Sequence, residues 1–250
     1  MFRFLIFIFN LVLQCNRVQI FERAAGLTFR VLLAFFPFLV FLMALMGFMD
    51  LDAAAILSGL YDVLPGEVSE LVSGFVAEIL GTRSAGVLSA ALFFSIYNTV
   101  NGFRAVVRTT DGRERGFFAQ VGLSFALMLL FSAALIVMLG LLVFWRGIIG
   151  WVGAPIVLFV FTSFIYRLAQ PYKMRVYPGA IFTVAAWVVT SVVFGFVTSN
   201  FSQLPAIYGS VAGIFILCLW LNAVAIILLI GGEINSLLHE FIHKATTRPA

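Results

Sequence analysis

The amino-acid sequence predicts an all-α, polytopic membrane protein with six transmembrane helices in a single domain, residues 1–250. Of the 250 residues, 63% are hydrophobic and only 10% are charged. Soluble domains are roughly 45 to 50% apolar and about 25% charged, so this chain has too few polar residues to cover a water-facing surface. In addition, the charges are separated by apolar stretches that are long enough to cross a bilayer.

Each predicted span is a charge-free stretch of about 20 residues, because roughly 30 Å of hydrocarbon is crossed at about 1.5 Å per residue. The longest stretch, from Val176 to Gly232, is interrupted by a polar segment that contains Pro205 and Gly209 and therefore holds two spans. The predicted transmembrane helices are 24–49, 84–107, 117–145, 148–167, 179–198 and 209–232.

Three further segments lie outside the hydrocarbon in this prediction. Residues 1–22 contain an apolar stretch that is too short to span, flanked by Arg3 and Arg17, which is typical of an interfacial helix. The first outer loop, 50–83, has apolar residues at helical spacing and predicts short amphipathic helices. Its acidic residues indicate a solvated face, with a cation-attracting vestibule as the alternative. Residues 233–250 form a predicted inner tail.

The distribution of basic residues predicts the orientation. With both termini on one side, thirteen of the 15 Lys and Arg residues fall on that side, against Arg83 and Arg146 on the other. By the positive-inside rule, we expect the N-terminus and the C-terminus to be cytoplasmic.

Polar side chains inside the predicted spans are candidate functional residues, because such groups are costly in lipid and usually face the bundle interior or a water-filled cavity. The candidate substrate-binding residues are Arg30, Tyr97, Asn101, Arg104, Asn222 and Glu233. Tyr97, Asn101 and Arg104 share one helical stripe. Asn222 and Glu233, eleven positions apart, share a face of the last span.

These candidates all fall in the inner half of the bilayer. We therefore expect a polar, net-basic inner cavity in which Glu233 pairs with Arg104 or Arg30. The alternative is that the arginines extend their charged ends to the headgroups and the amides form hydrogen bonds between helices.

Small residues at two places predict tight helix contacts. Gly209 and Gly213 are four positions apart at the start of the last span, and Gly231 and Gly232 lie at its end. Such pairs allow helix backbones to approach closely in membranes. We interpret all four as helix-packing positions.

The segment His239-Glu240-Phe241-Ile242-His243 matches the H-E-x-x-H pattern of zinc proteases. A catalytic zinc needs a third protein ligand, yet the chain has only 2 His and ends seven residues after His243. We interpret the match as fortuitous and predict no metal, no cofactor and no enzymatic activity. Adventitious metal binding is the alternative for this segment.

Several stretches resemble the YihY/virulence factor BrkB family, once labelled ribonuclease BN. They are 23–29 (RAAGLTF), 32–37 (LLAFFP), 101–104 (NGFR), 166–171 (YRLAQP), 178–180 (PGA), 208–210 (YGS), Trp220 and 231–235 (GGEIN). Two residues depart from the family pattern: Arg30 stands where an aromatic or neutral polar residue is usual, and Ala34 stands where Ser is common.

The resemblance implies a six-span protein of the bacterial inner membrane, in a family tied to serum resistance and envelope lipid phenotypes. We do not carry over the ribonuclease label, because the acidic residues on the inner side are scattered rather than clustered for metal ions.

Together these observations favour a transporter-like protein that handles an anionic or amphiphilic envelope molecule, such as a lipid, through the basic inner cavity. Its expected partners are membrane lipids, with no nucleic acid, and a homo-oligomer is compatible with this function. The alternative is a non-transporting structural or envelope-assembly factor, in which the same polar groups only connect helices. A cavity wide enough for a headgroup separates the two.

Overall fold

The computed structural model describes residues 2–48, 70, 73–74, 93–94, 96–102, 104, 116–144, 148–169, 175–200 and 210–246. Most of them form six helices: α1 (Phe2–Arg17), α2 (Ile20–Phe48), α3 (Phe117–Phe144), α4 (Ile148–Ala169), α5 (Tyr177–Asn200) and α6 (Ser210–Thr246). A further helical stretch, 96–102, precedes α3 in the sequence. No strand occurs in these ranges, so the all-α prediction is confirmed for them.

Three of the helices are long and apolar enough to cross a bilayer. Their candidate spans are Phe117–Met138 in α3, Tyr177–Val197 in α5 and Gly213–Phe241 in α6. Helix α4 adds a shorter apolar stretch, Val152–Leu168. These helices support a membrane protein, whereas the count of six spans stays a prediction.

The helix bounds differ from the predicted spans mainly at the two ends of the chain. Helix α2 begins at Ile20, within the segment predicted to lie at the interface, and α6 continues to Thr246, through most of the predicted inner tail. No proline interrupts α6 after Gly232, so nothing in the sequence ends that helix at the membrane boundary. In the predicted outer loop, only 70 and 73–74 are described, and they are helical; the rest of that prediction lies outside the described residues.

Helix α6 packs most extensively against α5 and α2, while α3 pairs with α4 and α4 with α5. The largest buried cluster joins α2, the stretch 96–102, α3 and α6. Its members are Phe38, Leu39, Phe41, Val100, Met128, Ile216, Leu217 and Leu221. The Phe38 and Phe131 rings, 5.4 Å apart at their centroids, connect α2 to α3 directly. This cluster therefore holds α2, α3 and α6 together through apolar contacts.

A sharp turn at Val18 and Gln19 folds α1 back onto the bundle. Gln19 adopts a φ of 52°, in the left-handed region that non-glycine residues rarely occupy. Its amide donates to the Asn16 carbonyl at 3.1 Å, and its carbonyl accepts from the Arg23 amide at 3.0 Å, so the turn is hydrogen-bonded on both sides. As a result, α1 contacts α6 as well as α2.

Helix α1 presents an apolar surface outside the bundle. The exposed apolar side chains of α1 are Ile6, Ile8, Phe9, Val12 and Leu13. An amphipathic helix of this kind lies along a membrane interface when its apolar face meets acyl chains. The interfacial location of α1 stays a prediction.

Candidate functional site

A pocket of about 260 Å³ lies between α2 and the helical stretch 96–102. Its lining residues are Arg30, Leu33, Ala34, Asn98, Asn101, Gly102 and Arg104. Two guanidinium groups and two amides supply its polar surface, and no carboxylate is among these residues. The described lining is therefore net basic.

Gly102 and Ala34 allow the two sides of this pocket to approach each other. Both residues are buried, and a methyl group on Gly102 would overlap the Cβ atom of Ala34. Close approach at small residues is common between membrane helices, because it maximises van der Waals contact. This contact places Arg30 of α2 beside Asn101 of the neighbouring stretch and Arg104, which lies just beyond that stretch.

The guanidinium group of Arg104 is held by an amide and an aromatic ring. Its Nη1 atom donates a hydrogen bond to Asn101 Oδ1 at 3.3 Å. Its Cζ atom lies 4.8 Å from the centre of the Phe117 ring, within the range of a cation–π interaction. Its Nε atom is buried and has no hydrogen-bond partner in the described part of the chain. The group is therefore oriented but retains unused donor capacity.

Three of the six predicted binding residues line the pocket, namely Arg30, Asn101 and Arg104. Tyr97 shares the helical stripe of Asn101 but is 63% exposed and does not line the pocket. Sequence reasoning did not include Asn98 in the binding set, although this residue lines the pocket. Asn98 lies three positions before Asn101, and this helical spacing was a signal that could have identified it.

Asn222 takes part in a contact between α6 and α2. Its Nδ2 atom donates to Thr28 Oγ1 at 3.3 Å, and the Thr28 hydroxyl in turn donates to the Ala24 carbonyl at 2.7 Å. Thr28 is buried, so this chain of hydrogen bonds satisfies polar groups between two packed helices.

Glu233 contacts α1 rather than the arginines of the pocket. Its Oε2 atom accepts a hydrogen bond from Gln14 Nε2 at 2.6 Å. The expected ion pair of Glu233 with Arg104 or Arg30 is not formed among the described residues, because α1 folds back and brings Gln14 to the carboxylate. Next to this contact, burial raises the pKa of the Cys15 thiol, and the charge of Glu233 raises it further.

A second polar cluster connects α4, α5 and α6. The Tyr166 hydroxyl donates to the Leu228 carbonyl at 2.6 Å and lies 2.7 Å from Thr183 Oγ1. The Gly179 amide donates to Asn235 Oδ1 at 2.7 Å. Tyr166, Thr183 and Asn235 are all buried, so these bonds stabilise the packing of three helices in the interior.

Sequence reasoning did not bring this second cluster together. Three of its residues, Tyr166, Gly179 and Asn235, and the neighbouring Gly231 lie in stretches that resemble family motifs, which was the available sequence signal for this cluster. A Cβ atom on Gly231 would overlap Thr183 Oγ1 and the Tyr166 hydroxyl, so glycine at this position allows the close packing of α6 against α4 and α5.

The remaining predicted packing glycines have separate locations. Gly213 is buried near the start of α6, and Gly232 is half-buried in its middle. Gly209 lies outside the described residues.

His239 and Glu240 of the H-E-x-x-H segment lie on α6, whereas the side chain of His243 is outside the described set. Among the side chains that the structure describes, no three His, Cys, Asp or Glu residues form a group that could hold a metal ion.

Comparison with known proteins connects this architecture to a family. The family model for "Virulence factor BrkB" matches residues 11–250, which include every residue of the pocket and both partners of the Gln14–Glu233 contact. The chain belongs to the virulence factor BrkB family. The resemblance stated from the sequence is thereby confirmed.

A curated relative of this BrkB family protein occurs in Bacillus subtilis (strain 168), where it is named as the ribonuclease-like protein YfkH. The two sequences are 31% identical over 247 residues, which cover 88% of this chain and 90% of the relative. No solved structure matches the chain. The name YfkH describes the relative alone, while the shared length indicates that both proteins have the BrkB family domain.

Proposed function

We propose that this BrkB family membrane protein is transporter-like and binds an anionic or amphiphilic envelope molecule in the pocket between α2 and the stretch 96–102. One observation carries the proposal: Arg30 and Arg104 line the same pocket, and no described lining residue is acidic. Charged groups are costly at membrane depth unless they are paired or hydrated, so an anionic ligand is the complementary partner for this site.

The size of the pocket supports a small anionic group. Its volume, about 260 Å³, is slightly below the roughly 300 to 1,000 Å³ of pockets that enclose drug-sized ligands. A space of this size suits the polar end of an amphiphile, whose apolar part stays outside.

The proposed location is the bacterial inner membrane, with both termini cytoplasmic and the pocket in the inner half of the bilayer.

Binding is tested by thermal unfolding of the protein in a neutral detergent, with and without two anionic amphiphiles, oleate and dioleoyl phosphatidylglycerol. At least one of them is expected to raise the Tm of the wild type, and Arg104→Gln is expected to lose most of that rise. Arg175→Gln is the matched control, because Arg175 is exposed and lies outside the pocket. Equal shifts in the wild type and both variants would exclude this pocket as the anion site.

Movement across the membrane is tested separately, in vesicles that contain the protein and a fluorescent phosphatidylglycerol. The wild type is expected to speed the transfer of this lipid between leaflets, and Arg104→Gln is expected to slow it, while Arg175→Gln retains the wild-type rate. Binding without any accelerated transfer would contradict the transporter-like function and favour the second candidate.

The second candidate is a structural or envelope-assembly factor, and two contacts favour it. Gln14–Glu233 and Asn222–Thr28 use two of the predicted binding residues, Glu233 and Asn222, as links between helices. These residues therefore support the packing interpretation, whereas Arg30 and Arg104 support the binding interpretation.

A further inference from the structure

We propose that the pocket recognises the phosphate group of a membrane phospholipid, which enters sideways from the bilayer between α2 and the stretch 96–102. This inference rests on the proposed function and specifies its ligand. It follows from the geometry of the donors in the pocket, from the apolar surface beside it and from the absence of an acidic partner among the described lining residues.

The donors in the pocket match a tetrahedral anion better than a planar one. Arg30 is on α2, whereas Asn101 and Arg104 are on the opposite side of the pocket. The oxygens of a phosphate point in several directions and can accept from both sides at once. A carboxylate has two oxygens in one plane, and a single guanidinium fork can bind both of them from one side.

Arg104 is prepared for such an acceptor. The Phe117 ring covers one face of its guanidinium, and Asn101 accepts from Nη1, so the plane of the group is set before a ligand binds. The buried Nε atom has no partner in the described part of the chain. Because that atom is enclosed by protein, the donors that Arg104 offers to an anionic oxygen in the pocket are the N–H groups of its Nη atoms, beyond the one bonded to Asn101.

The surface beside the pocket is apolar and exposed, as expected for a route from the bilayer. Phe29 and Leu33, on either side of Arg30 along α2, are 62% and 60% exposed, and Phe94, one turn before the lining residue Asn98, is 63% exposed. Arg30 is also exposed. A lipid whose phosphate lies in the pocket can therefore keep its acyl chains along these side chains, whereas a soluble anion gains nothing from them.

The chain supplies no described counterion for these arginines. Glu233, the acid predicted to pair with them, accepts its hydrogen bond from Gln14 and does not line the pocket. No described lining residue neutralises the positive charge of the pocket, so an external anion can do so. In a bilayer the abundant anion is the phosphate of a lipid headgroup.

The proposal is tested by titrating the detergent-purified protein with three probes: dioleoyl phosphatidylglycerol, oleate and inorganic phosphate. Phosphatidylglycerol is expected to raise the Tm at a lower concentration than oleate or inorganic phosphate. Arg30→Gln and Arg104→Gln are each expected to raise its half-saturating concentration about tenfold or more, since each removes charge-assisted hydrogen bonds. Arg104→Lys keeps the charge without the planar fork and is expected to be intermediate. Arg175→Gln is expected to leave the titration unchanged.

A second variant tests the pocket without changing its charge. Leu33→Trp narrows the pocket at a position that is 60% exposed, and it is expected to weaken the phosphatidylglycerol effect. Leu219→Trp is the matched control, because Leu219 is also exposed, at 49%, and lies on α6 away from the pocket. Equal effects of the two tryptophans would overturn the proposed entry route.

The probes separate this inference from the function on which it rests. If oleate acts at the same concentration as phosphatidylglycerol through the same arginines, the anionic-amphiphile function stands and phosphate recognition is wrong. If inorganic phosphate acts as strongly as the lipid, the ligand is a soluble anion and sideways entry is wrong. If no probe depends on Arg30 or Arg104, both the inference and the proposed function fail.

Discussion

Gln14 and Glu233 form a hydrogen bond of 2.6 Å between residues that are 219 positions apart. A carboxylate in a protein interior is stabilised when it accepts a hydrogen bond, because burial removes part of its hydration. Gln14 supplies that bond from α1, which makes Glu233 an anchor for the N-terminal helix. The role of Glu233 thus depends on the turn at Gln19 that returns α1 to the bundle.

Replacing Gln14 and Glu233 by Ala, singly and together, is expected to show coupling between the two residues. The double variant should lose less stability than the sum of the single variants, by about 0.6 kcal/mol and at most about 1.7 kcal/mol, the average and maximum for hydrogen bonds between membrane helices. The measurement is reversible unfolding in detergent. The control pair is Gln14→Ala with Asn222→Ala, whose effects on the free energy of unfolding are expected to be additive. Additivity for Gln14 and Glu233 would show that their hydrogen bond does not stabilise the fold.

Gly102→Ala is expected to destabilise the protein by about 1 to 3 kcal/mol, since the added methyl overlaps the Cβ atom of Ala34 and pushes two packed helices apart. Gly26→Ala is the control, because space is open there and alanine favours the helix. Adding Ala34→Gly to Gly102→Ala is expected to restore most of the loss. Stability is measured by thermal unfolding. If Gly102→Ala leaves the stability unchanged, this result would contradict the close approach of helices that shapes the pocket.

At the scale of secondary-structure elements, α4, α5 and α6 meet at buried polar groups rather than at apolar side chains alone. The Tyr166 hydroxyl of α4 reaches Thr183 of α5 and the Leu228 carbonyl of α6, so one side chain connects three helices. Trp187 adds a hydrogen bond of 3.1 Å from its Nε1 atom to the Val224 carbonyl. These bonds fix the rotation of α5 and α6 about their axes, which apolar packing alone specifies less strictly.

Tyr166→Phe is expected to lower stability by about 1 to 3 kcal/mol, because it leaves the buried Thr183 hydroxyl without this partner. Tyr177→Phe is the matched control: Tyr177 is 55% exposed, so loss of its hydroxyl is expected to change stability little. Thermal unfolding of both variants in the same detergent gives the comparison. Equal and small effects would mean that the hydroxyl of Tyr166 does not hold the three helices together.

At the scale of the whole molecule, α6 is the element around which the bundle is organised. It packs against α5 and α2 and is also the main support of α1. Its apolar stretch, Gly213–Phe241, is the longest of the candidate spans. A single long helix with neighbours on several sides explains why polar residues on α6, such as Asn222 and Asn235, bond to different helices.

The predicted orientation is tested with cysteines introduced at Glu70 and Arg113 in a variant from which Cys15 and Cys218 have been removed. The cysteine at 70 is expected to react with a membrane-impermeant thiol reagent in intact cells, and the cysteine at 113 only after the cells are opened. These outcomes follow from the excess of basic residues on one side. If intact cells are labelled at 113 but not at 70, the predicted orientation is wrong and the protein has the opposite orientation.

The sequence by itself determined the class of the molecule, its main helices and its family. Charge-free stretches of bilayer length identify α3, α5 and α6, because hydrocarbon requires long apolar helices whatever their neighbours are. The same reasoning selected Arg30, Asn101 and Arg104, which line one pocket, since charged and amide groups stand out in an apolar sequence; their binding role stays a prediction.

Only the tertiary structure decided which polar groups meet. Helical periodicity orders residues on one helix but contains no information on which helix lies opposite, so Glu233 was assigned to Arg104 or Arg30 although it contacts Gln14. The return of α1 depends on the backbone conformation of Gln19, which no local pattern indicated. Likewise, Gly102 became a determinant of the pocket only when Ala34 was found opposite it, because steric fit is a property of two surfaces together.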